Sequence, residues 1–128
     1  MPQMRLQHVA LSVTDIARSG VWYEKLFGLA KVAEFTRPAP MAVYMTTDGQ
    51  AIDLRQDPDV VAEPFSEKRV GLDHVAFVCA DHGELDDWCD KLDDLGVPYS
   101  TETSPFGAHV NFRDPDAIPL EFFLPAAG

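Results

Sequence analysis

The sequence predicts an α+β fold made of two tandem βαβββ modules, and two observations lead to this prediction. First, LQHVALSVTDIARSGVWYEKLFGL (6–29) aligns without a gap on LDHVAFVCADHGELDDWCDKLDDL (72–95), at an offset of 66, with nine identities in 24 positions. Unrelated residues match at roughly one position in 20. Second, each copy has the same order of patterns, namely an apolar run typical of a strand, an amphipathic helix and three further strand patterns. The chain is therefore a tandem duplication.

The elements of each copy can be placed from local signals. The opening strands are predicted at 6–13 and 72–79. Asp15 and Asp81 are candidate N-caps of the helices that follow, and Gly28 and Gly96 stand where the helices should end. In the second helix, residues at helical spacing predict a stripe that faces the core: Leu85, Trp88, Cys89, Leu92 and Leu95. Turn signals separate the remaining strands, which we expect near 31–36, 41–47, 51–56, 97–103, 107–113 and 119–124.

We expect one domain over residues 1–128. Module one covers 5–56, and module two covers 72–124. Residues 57–71 are polar, contain proline and match nothing in the other copy, so they are interpreted as the linker. Neither copy is long enough to cover its own sheet well, which favours a single domain.

The charge and composition exclude several classes of partner. The formal net charge is −11, from 21 acidic and 10 basic residues, so a phosphate backbone would be repelled and no nucleic-acid partner is expected. No run approaches the roughly 18 apolar residues of a membrane span, and no secretory signal is recognised. We therefore expect a cytoplasmic protein without a nucleic-acid or membrane partner. Cys79 and Cys89 lack metal-type or redox-type spacing and are interpreted as free, buried or half-buried thiols.

Strand alternation separates the core from a candidate site. Val9, Leu11 and Val13 should pack under the helix, which leaves His8 on the opposite face with small residues. His74 repeats this placement in module two. The last strands of the two modules correspond at an offset of 68, which aligns Asp53 with Glu121.

Each of these acids has apolar neighbours in its strand, where an unpaired charge is unfavourable. One histidine and one acid recur in each copy. This repetition favours a site for a single divalent metal ion, with His8, His74, Asp53 and Glu121 as ligands. A buried histidine–carboxylate pair in each half, without metal, is the structural alternative. On the penultimate strand, His109 and Asn111 alternate with apolar residues, so they either reach a substrate or lie exposed on the strand.

The chain resembles the vicinal oxygen chelate superfamily, which contains glyoxalase I, bleomycin and fosfomycin resistance proteins, methylmalonyl-CoA epimerase and extradiol dioxygenases. The matching segments are residues 6–29, GLDHVAFV at the start of module two and NFRDPDAIPLEFF near the end. The resemblance implies two βαβββ modules that form a curved mixed sheet around a metal cavity. It also implies His8, His74 and Glu121 as ligands, with Asp53 at the fourth position.

The resemblance implies a glyoxalase I-like lyase or isomerase that acts on a small molecule with vicinal oxygens through an enediolate-type intermediate. One divalent ion (Zn, Ni, Co, Mn or Fe) would serve as cofactor, Glu121 as the base, and His109 and Asn111 as substrate-binding residues. An Fe(II) extradiol-type dioxygenase and a bleomycin- or fosfomycin-resistance-type binding or transferase protein are the alternatives. A homodimer is expected. Asp53 is one methylene shorter than the glutamate of glyoxalase-like members, so it would bind directly, bind through water or act as a base.

One turn departs from the pattern of the superfamily. The chain has DPDA at 114–117 where DPDG is commoner. A left-handed alanine is unfavourable by about 1–2 kcal/mol, so we expect a turn of another type at Ala117.

Overall fold

The computed structural model describes residues 1–127 and confirms the α+β fold with two βαβββ modules. Contacts divide the chain after Glu63 into two compact units. Each unit contains one helix and one four-stranded sheet. That the two units form a single domain stays a prediction.

In module one the first and last strands are parallel neighbours, and the last three strands form an antiparallel meander. Its elements are β1 (His8–Ser12), α1 (Ile16–Phe27), β2 (Ala30–Phe35), β3 (Met41–Met45) and β4 (Ala51–Arg55). The strand order in its sheet is β1-β4-β3-β2, with β1 and β4 parallel.

Helix α1 begins and ends where the sequence predicts. The Asp15 side chain accepts a hydrogen bond from the backbone N–H of Arg18 at 3.1 Å, and Gly28 ends the helix in the left-handed conformation with φ 65°. Leu11 and Val13 are buried, whereas His8 is exposed, so the predicted division of the first strand into two faces is confirmed.

Module two repeats this topology. Its elements are β5 (Val75–Val78), α2 (His82–Asp94), β6 (Tyr99–Ser104), β7 (Gly107–Arg113) and β8 (Pro119–Pro125). Its strand order is β5-β8-β7-β6, with β5 and β8 parallel. Asp81 caps its helix through the backbone N–H of Glu84 at 2.9 Å, as predicted.

Two details differ from the sequence prediction. Leu95 is 39% exposed and does not belong to the buried stripe of α2. Ala117 adopts a left-handed conformation with φ 66°, so the expectation of another turn type was wrong. Hydrogen bonds support this turn, because Asp114 accepts from the backbone of Asp116 and Ile118, each at 2.9 Å.

The segment predicted as the linker, residues 57–71, is bonded to module two near its end. The backbone N–H of Phe65 donates to the carbonyl of Asp116 at 2.8 Å. Arg113 forms a bidentate pair with Glu67, at 3.0 and 2.8 Å. The last part of the linker is therefore attached to module two.

Within residues 1–127, no helix is long and apolar enough to cross a membrane.

Candidate functional site

The module-one pair lies on neighbouring parallel strands. Asp53 pairs in register with Ala10, so His8 is two residues away on the same face. The His8 Nε2 atom lies 3.6 Å from Asp53 Oδ2, and the side chains are 46% and 17% exposed. The other ring nitrogen, Nδ1, is hydrogen-bonded to the side-chain oxygen of Gln7.

The module-two pair reproduces this arrangement. Glu121 pairs in register with Ala76, and His74 is again two residues away. The His74 Nε2 atom lies 3.3 Å from Glu121 Oε2, with side-chain exposures of 46% and 9%. Asp73 Oδ1 lies 2.6 Å from His74 Nδ1. The duplication therefore extends to the residue before each histidine.

In both modules the oxygen that faces Nδ1 is a hydrogen-bond acceptor, so Nδ1 carries the proton. The Nε2 lone pair of a neutral ring then faces a carboxylate, which is also an acceptor. Such a contact is favourable only when a proton or another cation lies between the two groups. Asp73, together with the charge of Glu121, raises the pKa of His74 above its usual value, while partial burial opposes this shift.

Asp53 has a further unsatisfied atom. Its Oδ1 is buried and has no hydrogen-bond partner among the described residues. A buried, unpaired carboxylate oxygen is destabilising unless a donor or a cation meets it. Imidazole nitrogens and carboxylate oxygens are ligands that divalent transition metals accept. The residues present therefore fit such an ion.

The carboxylate of Glu121 has a second imidazole neighbour. Its Oε1 is hydrogen-bonded to His109 Nδ1, and His109 Nε2 lies 2.7 Å from the hydroxyl oxygen of Ser104. Asn111 pairs in register with Glu121, but its side-chain amide donates to Glu102 at 3.2 Å. Glu121 therefore contacts two imidazoles, those of His74 and His109, whereas the Asn111 amide is bonded to Glu102 instead.

Sequence reasoning missed the partners Gln7, Asp73 and Ser104. The first two had a signal, because the offset of 66 that aligns the histidines also aligns these preceding residues. Ser104 had none, because its contact depends on the register of β6 against β7. Within residues 1–127, no group of three or more His, Cys, Asp or Glu side chains is arranged to hold a metal ion on its own.

Comparison with known proteins identifies the family. A model of the Glyoxalase/Bleomycin resistance protein/Dioxygenase superfamily matches residues 5–122. The chain belongs to this superfamily. No curated protein matches it significantly.

Solved structures of the superfamily share the fold over nearly the whole chain. A glyoxylase/bleomycin resistance protein/dioxygenase domain from Frankia sp. EAN1pec is 29% identical, with a TM-score of 0.90 and coverage of 97% of this chain and 99% of that chain. Lactoylglutathione lyase from Agrobacterium tumefaciens is 22% identical, with a TM-score of 0.75 and coverage of 97% and 96%.

A third relative was solved with a ligand. A variant of the fosfomycin resistance protein FosX from Listeria monocytogenes, in complex with Mn(II) and 1S,2S-dihydroxypropylphosphonic acid, is 17% identical. Its TM-score is 0.75, and the alignment covers 98% of this chain and 95% of that chain. At these identities, the second and third structures show the shared fold alone.

Proposed function

We propose that the protein is a metal-dependent lyase or isomerase of glyoxalase I type, which acts on a small molecule with vicinal oxygens. The observation that carries the proposal is the repeated pair of histidine Nε2 and carboxylate oxygen, at 3.6 Å in module one and 3.3 Å in module two. A cation between the two groups of each pair would make the contact between these acceptors favourable.

The proposed ligands are His8 and Asp53 from module one, with His74 and Glu121 from module two. The unpartnered Oδ1 of Asp53 supports its inclusion as the fourth ligand. When bound, the ion would supply Lewis acidity toward the two oxygens of the substrate. We expect a homodimer, so the two pairs that share an ion come either from one chain or from two chains.

Glu121 is the proposed base. Its side chain is 9% exposed, so competing water is largely excluded from the carboxylate. It would accept the proton from the substrate carbon next to the carbonyl and return it to the neighbouring carbon. His109 lies against this carboxylate, with its Nδ1 bonded to Glu121 Oε1.

Two relatives support this chemistry by analogy. Lactoylglutathione lyase has the same fold, and the FosX variant of the same fold holds Mn(II) together with a ligand that carries two adjacent hydroxyl groups. The four-ligand interpretation favours the lyase or isomerase over the Fe(II) dioxygenase, which the sequence resemblance associates with two histidines and one glutamate.

Metal content is the first test. The purified protein is stripped with a chelator, reloaded separately with Zn, Ni, Co, Mn or Fe(II), and analysed for bound metal per chain. We expect stoichiometric binding that is lost in His8→Ala and retained in His82→Ala, a matched control at the exposed start of α2. Absence of stoichiometric binding in the wild type would favour a metal-free binding protein of the resistance type.

Turnover is the second test. The methylglyoxal–glutathione hemithioacetal and related α-hydroxycarbonyl compounds are incubated with the reloaded protein in deuterated water. Proton exchange at the carbon next to the carbonyl, dependent on metal and on Glu121, would support the proposal. Oxygen consumption with catechols in place of this exchange would identify a dioxygenase.

A further inference from the structure

We infer that His109 is a positioning residue for Glu121 and that Ser104 holds His109 in the tautomer that this role requires. The inference rests on the proposed function, because it concerns how one proposed metal ligand is held. It assigns His109 a role different from substrate binding, and it includes Ser104, which sequence reasoning did not select.

The first step of the argument is that each oxygen of Glu121 has its own imidazole. Oε2 lies 3.3 Å from His74 Nε2, and Oε1 is bonded to His109 Nδ1. An ion shared by His74 and Glu121 would therefore use Oε2 and leave Oε1 to His109. A hydrogen bond to the oxygen that does not bind the metal fixes the orientation of the carboxylate.

The second step concerns the proton on the His109 ring. An ionised Glu121 only accepts hydrogen bonds, so Nδ1 of His109 is the donor and Nε2 of a neutral ring is an acceptor. The Ser104 hydroxyl, 2.7 Å from Nε2, then donates to it. The backbone N–H of Phe106 donates to the same hydroxyl oxygen at 3.2 Å. In this series of hydrogen bonds, from Phe106 through Ser104 and His109 to Glu121, each donor and each acceptor has one consistent role.

The third step is that module one lacks this support. On β7, His109 lies two residues before Asn111, which pairs with Glu121. On β3, Met41 lies two residues before Val43, which pairs with Asp53. Met41 is therefore the module-one counterpart of His109. Methionine has no proton to donate. This difference agrees with the unpartnered Oδ1 of Asp53. The donor is therefore specific to the module-two carboxylate and is not a general feature of the repeated unit.

The test is Co(II) binding by the metal-free protein, measured by calorimetry together with the visible absorption spectrum of the bound ion. We expect His109→Leu to bind Co(II) at least about tenfold more weakly, with an altered spectrum, because losing an outer hydrogen bond to a ligand typically reduces affinity 10–100-fold. His109→Asn, whose amide N–H replaces Nδ1–H, should recover much of the affinity. His109→Gln, whose amide reaches the Nε2 position, should recover less.

Two further variants complete the design. Ser104→Ala should weaken Co(II) binding less than His109→Leu and should change the ring tautomer of His109 in ¹⁵N NMR spectra of the metal-free protein. His82→Leu is the matched control and should bind Co(II) like the wild type. Circular dichroism confirms that each variant is folded, and a variant that fails to fold is replaced in the comparison by His109→Asn against His109→Gln.

Wild-type affinity and spectrum in His109→Leu, or equal behaviour of the Asn and Gln variants, would overturn the inference and leave the proposed function intact. Absence of Co(II) binding in the wild type would reject the proposed function and the inference with it.

Discussion

Asp53 and Glu121 occupy equivalent positions in the two modules, yet their carboxylates differ in hydrogen bonding. Both oxygens of Glu121 face an imidazole, whereas Oδ1 of Asp53 is buried without a partner among the described residues. In a metal-free protein whose His74 is protonated, the first arrangement stabilises the fold, and the second destabilises it. Replacing the carboxylate by a neutral amide should therefore change the free energy of unfolding in opposite directions at the two positions.

Asp53→Asn should stabilise the metal-free protein by up to about 1 kcal/mol, because a neutral amide is less unfavourable than an unpaired carboxylate in a buried position. The measurement is urea unfolding in the presence of a chelator. The same variant should bind metal more weakly than the wild type. A lower unfolding free energy would show that Asp53 has a stabilising partner in the folded protein.

In urea unfolding at a pH where His74 is protonated, both imidazoles donate to Glu121, so Glu121→Gln should destabilise the metal-free protein by about 1–3 kcal/mol because its amide group cannot accept from both and leaves a buried polar atom unsatisfied. The same urea experiment measures it. Glu102→Gln, at an exposed position on β6, is the control and should change the unfolding free energy by less than about 0.5 kcal/mol. An unchanged stability in Glu121→Gln would contradict the hydrogen bonding described for this carboxylate.

The repeat explains why so much of the fold was predictable. Two aligned copies reinforce each weak local signal. The sequence therefore predicts the strands, the helix caps Asp15 and Asp81, and the position of His8 on the strand face opposite to the core. The pairing of each histidine with the acid of its own module was the metal-free alternative, and the observed parallel pairing of the first and last strands brings the two side chains to one face.

The contacts that the sequence could not predict depend on register or on distant partners. His109 meets Glu121 only because β7 and β8 pair with the offset observed, and a one-residue shift would move His109 to the other face. Arg113 meets Glu67 across 46 residues. Ala117 misled the prediction because local propensity disfavours its conformation, whereas the hydrogen bonds of Asp114 and Arg113 to this turn support it.

Ala117→Gly should raise the free energy of unfolding by about 0.5–1 kcal/mol. Glycine removes the roughly 1–2 kcal/mol strain of a left-handed alanine, and part of this gain is lost to the greater freedom of glycine in the unfolded chain. Chemical unfolding measures the difference. Ala17→Gly, at an exposed position of α1, should lower the free energy of unfolding by about 1 kcal/mol. A destabilised Ala117→Gly variant would contradict the backbone conformation at this turn.

The two thiols should react slowly in the folded protein. Burial raises the pKa of Cys79 to about 11, and burial also raises the pKa of Cys89. Little thiolate is therefore present at about pH 8, and the thiolate is the form that attacks a disulfide reagent. Titration with such a reagent should show two slow thiols in the native protein and two fast ones in guanidinium chloride. A fast native thiol would contradict the burial of its side chain and would reopen a reactive role for that cysteine.

The pair of Glu67 and Arg113 should contribute to acid stability. The hydrogen bonds from Arg113 lower the pKa of Glu67 from 4.5 to about 2. Because the folded-state pKa is the lower one, the stabilisation is fully present above pH 4.5 and is lost as the pH falls toward about 2. Glu67→Gln should therefore lower the melting temperature at neutral pH, and its difference from the wild type should shrink across this range.

Glu34→Gln is the control for this experiment. Glu34 forms an exposed ion pair with Lys31 at 3.6 Å, and single exposed pairs of this kind contribute little to stability. Its melting temperature should follow the wild type at every pH. If Glu67→Gln also followed the wild type from neutral pH to about pH 2, the bidentate pair would have no role in attaching residues 64–71 to module two.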